Sequence, residues 1–274
     1  MNATSLSAWA LLIGVLMSAT LAKGLKLLEF LCCTREAVGI TELAKATELN
    51  LSGVQRLLKT LVESGYVRQD AGSRKYRATL MAWEIGSQVL WEDVYYRSVH
   101  PILREAAQSS GFTAYFLRNN APFATYFDKV EGPRGLTYSS VLGSSIPIGL
   151  TAAGLAIVSF FSREQCETLR KPAKRGRFEF SGIDLQSLAQ SISIIRERRY
   201  ATSESGFRKG VNSVAAPVWG GDGLVCGSIA VTGDENELKS QDFPFLGQQV
   251  VRWAMQASTV LGGVPYPQSF YSEE

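Results

Sequence analysis

The sequence predicts an α+β chain of two domains, a winged helix-turn-helix followed by a larger mixed domain. Three observations carry that prediction. Two short helices, a recognition-type amphipathic helix and an alternating basic hairpin follow one another between Leu25 and Arg77. An apolar segment over residues 80–95, punctuated only by Gly86, reads as a linking helix. The 194 residues after position 80 then alternate helix-period and strand-period runs, enough for a second core, since domains run to about 100–150 residues. With 46% hydrophobic and 19% charged residues, the composition is that of a globular chain rather than a disordered one.

The elements can be justified in order. Leu21 to Leu31 gives a first helix, and the next starts at Thr41, with Glu42 in its first turn and Leu43, Ala44 and Leu49 facing inward. In the third helix, Leu51, Val54, Leu57, Leu58, Leu61 and Val62 keep the i, i+3, i+4, i+7 spacing of a single apolar stripe. Asn50 suits its N-cap and Gly65 its left-handed C′ position. Tyr66 to Gln69 and Lys75 to Thr79 alternate as strands around a turn at Asp70 to Ser73. The outer face of the third helix carries Ser52, Gly53, Gln55, Arg56 and Lys59, and the hairpin tip carries Arg74 and Lys75. Arg and Gln can reach base edges in a major groove, while Ser and Lys hold phosphates.

Later segments are less sharply marked. Residues 80–95 predict a linker helix and Val99 to Ser110 another, with Pro101 in its first turn. Strands are expected at 113–117, 123–127, 136–141, 213–218 and 225–231, and helices at 151–159 and 185–198. The alternative for the N-terminal part is a small helical hairpin with solvated charges. Charge placement argues against it: residues 1–80 hold ten Lys and Arg against six Asp and Glu, whereas the remainder holds eighteen against nineteen. The basic excess of a chain with net charge +3 therefore sits in the segment laid out to read DNA.

These residues resemble the IclR-type bacterial transcriptional regulators over nearly the whole chain after about residue 20. The resemblance rests on Leu21 to Leu31, Val54 to Leu61 and Gly65-Tyr66-Val67 in the N-terminal part. In the C-terminal part it rests on His100 to Glu105, Val130 to Pro133, Gly143 to Pro147, Gly210 to Val218 and Ile229 to Gly233. It implies a winged helix-turn-helix (residues 23–80), a linker helix (81–97) and a GAF-like effector-binding domain (98–262), with an irregular tail over 263–274. It further implies a cytoplasmic dimer or tetramer on a pseudo-palindromic operator in double-stranded DNA, modulated by a small-molecule effector. The family's effector contacts fall here on Ile146, Ala152, Ala153, Ser203, Ser213, Ala230 and Thr232. This chain has Gly149, Leu155 and Gly206 where the family often has His, Lys and Glu. The set is small and uncharged, and burying a carboxylate without a cation is costly, so a neutral or aromatic effector is expected. Arg208 and Lys209, the nearest basic residues, read as solvated.

The rival reading is a small-molecule or thiol sensor, or an enzyme, on a GAF-like fold without specific DNA binding. It lacks residue support. An activated thiolate at Cys166 or Cys226 would need a nearby base or positive field, and the single histidine, His100, lies at a helix start. No phosphate loop or HExxH is present, so no catalytic residue, cofactor or metal site is expected. Cys32 and Cys33 are adjacent rather than spaced for zinc, and are expected as small buried hydrophobes in the first helix. Residues 1–22 carry no charged side chain. Their apolar run is shorter than the roughly 20 residues of a spanning helix and lacks a basic lead-in. They are expected as an N-terminal arm rather than a membrane anchor. Lys171 to Arg177 reads as a solvated loop.

Overall fold

The computed structural model describes residues 19–134, 140–175, 178–183 and 185–266. The chain forms two compact units, with the boundary between Val89 and Leu90.

The first unit contains α1 (Ala19–Cys33), α2 (Ile40–Thr47), α3 (Leu51–Glu63), β1 (Val67–Gln69), β2 (Tyr76–Ala78) and most of α4 (Met81–Glu92). Its core is Leu27 and Leu31 of α1, Val38, Leu43 of α2, Val54 and Leu58 of α3, and Val67 of β1. These are the i, i+4 pairs that each short helix can turn toward one centre. Two expectations need correction here. Leu51 and Val62, placed in the α3 stripe by spacing, are 51% and 38% exposed. Both stand at the edge of the arc set by Val54 and Leu58. Cys32 and Cys33, expected inside, are both exposed. They fall about 100° and 200° round the helix from Leu31, off the buried line.

Both ends of α3 follow the sequence. Asn50 caps it through Oδ1, which accepts from Gly53 N–H at 2.7 Å. At the other end, Tyr66 N–H reaches Leu61 O at 2.9 Å and Gly65 N–H reaches Val62 O at 3.0 Å, with Gly65 at φ +79°. That is the paired bonding of a glycine-ended helix. A third extended segment joins the hairpin through Val38, which exchanges two backbone bonds of 2.8 Å with Tyr76.

The second unit is built on a six-stranded, wholly antiparallel sheet in the order β5-β4-β3-β10-β9-β8. The strands are β3 (Thr113–Asn120), β4 (Phe123–Val130), β5 (Ser145–Pro147), β8 (Ala201–Glu204), β9 (Val211–Trp219) and β10 (Val225–Asp234). Alternation assigns each face. Ala114, Phe116, Val214, Val218, Ile229 and Val231 pack against Val99 and Leu103 of α5 (Val94–Ser110) and Val250 and Trp253 of α9 (Phe243–Val260). Tyr115, Leu117, Ala215 and Ala230 face the other way, into a core shared with α6 (Ala152–Val158). A helical turn α7 (Arg163–Thr168), a small hairpin of β6 (Ala173–Arg175) and β7 (Phe178–Phe180), and α8 (Leu185–Arg198) complete this unit. It is the mixed helix-and-sheet arrangement the sequence predicts.

Several segment expectations shift. The helix expected over 80–95 ends at Glu92, because Asp93 caps a new helix through Tyr95 N–H at 2.8 Å. That helix, α5, starts at Val94 rather than Val99, so Pro101 is interior and leaves the Arg97 carbonyl without its usual donor. Asp93 also pairs with Arg118 of β3 at 3.2 Å, and the Arg118 guanidinium lies 4.5 Å from the Tyr95 ring centre. Of the strand expected over 136–141, residues 136–139 lie outside the described residues, and Ser140 and Val141 are not in a strand. The same holds for residues 1–18 of the expected arm and 267–274 of the tail. Ala173 to Arg175, expected in a solvated loop, pair as β6 with β7. The start of the tail is irregular but docked: Tyr266 packs 4.4 Å from the Trp219 ring centre and donates its hydroxyl to Arg199 O at 2.9 Å.

Candidate nucleic-acid interface and ligand cavity

Once Val54 and Leu58 point inward, geometry fixes what α3 presents outward. Ser52, Gln55, Arg56 and Lys59 are all exposed along one side. Lys59 makes only a long i,i+4 contact with Glu63, at 3.8 Å between two well-exposed groups, and stays available to a phosphate. Arg56 borders a polar cleft of about 220 Å³ whose other walls include Lys23 of α1 and Glu48 to Asn50 of the α2–α3 turn. Gly53 differs from the others, being half-buried with its N–H engaged by the Asn50 cap. A Cβ at position 53 would lie 2.7 Å from Asn50 Oδ1, so the cap and this position are tightly coupled.

The hairpin tip is held by its own polar groups. Asp70 Oδ1 accepts from Ser73 N–H at 2.7 Å and from Ser73 Oγ–H at 2.6 Å. Those bonds hold the Asp70 carboxyl below the usual carboxylate range. Gln69 Nε2 donates to Arg74 O at 2.9 Å, fixing Arg74 at φ +59°. Arg74 and Lys75 are exposed at the tip, as expected. Two further basic residues were missed by the sequence reading. Arg68 and Arg77 are exposed and directly opposite each other across β1 and β2. The signal was present in the alternation: Val67, Tyr76 and Ala78 face the core, so their neighbours must face out.

In the second unit a cavity of about 50 Å³ opens on the α6 side of the sheet. Of the seven residues implied as effector contacts, Ala153, Ser203, Ser213, Ala230 and Thr232 line it. Ile146 and Ala152 do not; both are buried in the adjoining core. Its remaining walls, not foreseen, include Tyr115, Leu117, Tyr126, Phe207 and Arg208. Strand register explains why scattered positions converge. Thr113, Thr232, Ser213 and Ser203 stand at one level of four adjacent strands, making a row of hydroxyls across the sheet. One level further along, Tyr115, Ala230, Ala215 and Ala201 are paired in the same way; Tyr115 and Ala230 line the cavity, and Ala215 and Ala201 are fully buried and do not.

The electrostatics of the cavity are mixed. Tyr115 and Tyr126 meet edge to face with ring centres 5.3 Å apart. Burial pushes the Tyr115 hydroxyl up to about 12, and it accepts from Ser140 N–H at 3.3 Å. Arg208, expected to be merely solvated, is exposed and yet borders the cavity, and its charge acts on both phenols. It rides on the β8–β9 loop, which is tied down at both ends. Ser205 donates its hydroxyl to Glu235 Oε2 at 2.5 Å and its N–H to Asn212 Oδ1 at 3.0 Å, and accepts from Gly210 N–H at 3.0 Å. The Thr113 hydroxyl, at the end of the row, is buried without a hydrogen-bond partner among the described residues.

No activated nucleophile stands out. Burial pushes the Cys226 thiol up to about 12, toward an inert neutral form. His100 Nδ1 lies 2.8 Å from Asp128 Oδ2, but both belong to the α5 side of the sheet, away from the cavity. Among the described residues no group of His, Cys, Asp and Glu is arranged to hold a metal, and no helix is long and apolar enough to cross a membrane.

A basic winged helix on one unit and a partly open, polar-and-aromatic cavity in the other fit a ligand-responsive DNA-binding regulator. Comparison with known proteins gives the family. The IclR helix-turn-helix domain matches residues 20–71, and the domain described as bacterial transcriptional regulator IclR C-terminal matches residues 92–259. The chain belongs to the IclR family of bacterial transcriptional regulators. It is 27% identical over 249 residues to the acetate operon repressor of Salmonella typhimurium, covering 89% of this chain and 90% of the relative. It is 26% identical over 250 residues to the transcriptional repressor IclR of Escherichia coli, at 89% and 90% coverage. Among solved structures, an IclR transcriptional regulator from Alicyclobacillus acidocaldarius aligns with TM-score 0.74 at 21% identity, covering 90% of this chain and all of that one. An IclR homolog from Microbacterium hydrocarbonoxydans, solved with 4-hydroxybenzoate, aligns with TM-score 0.68 at 16% identity, covering 89% and 99%.

Proposed function

We propose that this regulator binds a pseudo-palindromic operator as a dimer or tetramer in the cytoplasm, and that its effector is a small aromatic acid. The observation that carries the effector class is the lining itself. The small Ala153 and Ala230 beside Tyr115, Tyr126 and Leu117 suit a flat ring, while Arg208 and the hydroxyls of Ser203, Ser213 and Thr232 suit a carboxylate. Arg208 replaces the cation that the sequence reading found missing, so an anion no longer meets an uncompensated burial cost. The 4-hydroxybenzoate held by the Microbacterium protein supports the same chemistry. Among the described residues lining the cavity no His, Asp, Glu or Lys stands beside its hydroxyls, which supports binding rather than catalysis as its role.

About 50 Å³ is far below the roughly 300 Å³ or more of a drug-sized ligand site. Entry of an aromatic acid therefore requires the β8–β9 loop carrying Phe207 and Arg208 to give way. A ligand that binds only the displaced form shifts the population between forms with different operator affinity. Couplings of this kind amount to about 1–3 kcal/mol. The test is fluorescence anisotropy on DNA from upstream of the coding sequence, with scrambled competitor, titrated with 4-hydroxybenzoate, benzoate and cyclohexanecarboxylate. The two aromatic acids are expected to change operator affinity about 5- to 100-fold and the saturated acid much less. Equal responses to all three, or none, would remove the aromatic acid as effector class.

A further inference from the structure

We infer that Arg68 and Arg77 form a phosphate clamp on the outer face of the wing, gripping one backbone phosphate of DNA between them. The register places them directly opposite, Arg68 against Arg77, flanked by Val67 against Ala78 and Gln69 against Tyr76. Residues so opposed have Cβ atoms about 4.5–5.5 Å apart. Val67, Tyr76 and Ala78 turn into the core of the unit, so the two arginines are the cross-strand pair of the outer face. Both are exposed, and neither guanidinium has an ion-pair partner among the described residues. The nearest acid under the influence of Arg68 is Asp70, and its Oδ1 is already occupied by the N–H and hydroxyl of Ser73.

Like charges facing each other across a two-stranded ribbon are destabilising, and such a short hairpin has little stability of its own to spare. The arrangement becomes favourable when an anion sits between the two forks, since each guanidinium can then donate to one of the two non-bridging phosphate oxygens. Arg74 and Lys75 extend the same positive edge around the tip. The ligand chemistry is a phosphodiester with no base readout, so the clamp positions the wing without selecting sequence.

The experiment uses the full-length protein with Arg68→Gln, Arg77→Gln and the double variant, on upstream duplex and on scrambled duplex, across a salt series. Losing one phosphate contact flattens the plot of log K against log salt by about 0.9. Each single variant, with one guanidinium still on the phosphate, is expected to flatten the slope by less than that on both duplexes, and the double variant by about 0.9 in all. The melting temperature of the winged-helix unit should rise or stay level as the repulsion is relieved. Arg56→Ala serves as the control for DNA reading itself. If Arg56→Ala weakens binding while the double variant keeps the wild-type salt slope, the clamp is wrong and the DNA-reading surface stands. An additive flattening of about 1.8 in the double variant would overturn the shared phosphate in favour of two separate contacts. A fall in melting temperature would make the pair structural and overturn the clamp equally.

Discussion

The two units place function on opposite sides of their hydrophobic cores. In the winged helix, the residues proposed to meet DNA are whatever the core leaves outside: burying Val54 and Leu58 forces Ser52, Gln55, Arg56 and Lys59 outward. In the second unit, the cavity is a gap within the core, walled by residues from β3, β4, β8, β9, β10, α6 and a loop. One site is specified by helical period and the other by register between strands distant in sequence. A local change in the first unit should therefore stay local, whereas the second should respond as a whole.

The largest expected effect tests that separation. Leu58→Ala should destabilise the winged-helix unit by about 2–5 kcal/mol. Calorimetry should show its transition lowered and DNA binding lost, with ligand-induced stabilisation of the second unit intact. A single merged transition would break the comparison. Arg56→Ala should cost about 1–3 kcal/mol on operator DNA and relax specificity if it contacts a base edge. A loss equal on all DNA would reassign it to phosphate positioning. Asn50→Ala removes the cap of α3 and should cost about 1 kcal/mol in urea unfolding. Arg208→Gln, on an exposed loop, should weaken an aromatic acid by about 1 kcal/mol or less in titration calorimetry while leaving apo DNA affinity unchanged. Unchanged binding would move the carboxylate to the hydroxyl row.

The smallest effect is absent at neutral pH and emerges only in alkali. Tyr115 and Cys226 have folded pKa values of about 12, against ordinary values of 10.0 and 9.0. Raised acids of this kind contribute stability that is complete below about pH 9 and is lost as pH climbs toward 12. The urea midpoint of the second unit should fall over that window, and Tyr115→Phe with Cys226→Ala should flatten the fall. An unchanged alkaline slope in the double variant would assign it to other groups.

Legibility in sequence follows the same division. The cap at Asn50, the glycine end at Gly65 and the hairpin around Asp70 to Ser73 are local events, and they stand where the sequence put them. Burial of Leu51, Val62, Cys32 and Cys33 was misjudged because spacing gives the direction of a stripe but not its width. In the second unit the strand segments were visible, yet the sheet order that brings β3 beside β10 was not, since nothing near Tyr115 announces Ala230. α9 went unseen, its start disguised by Phe243-Pro244 and its body interrupted by Gly247. Tyr115 and Tyr126 escaped notice, and Arg208 was read as solvated, for the same reason: each becomes part of a site only through neighbours far away in sequence or across a loop.

Gly53 carries a consequence for how this reader can diversify. A side chain there has to share space with the end of the Asn50 side chain, so a change at position 53 is coupled to the cap that starts α3. Ser52, whose hydroxyl donates to the same Asn50 Oδ1, is coupled to it as well. Changes at Gln55, Arg56 and Lys59, proposed to face the groove, leave that cap alone.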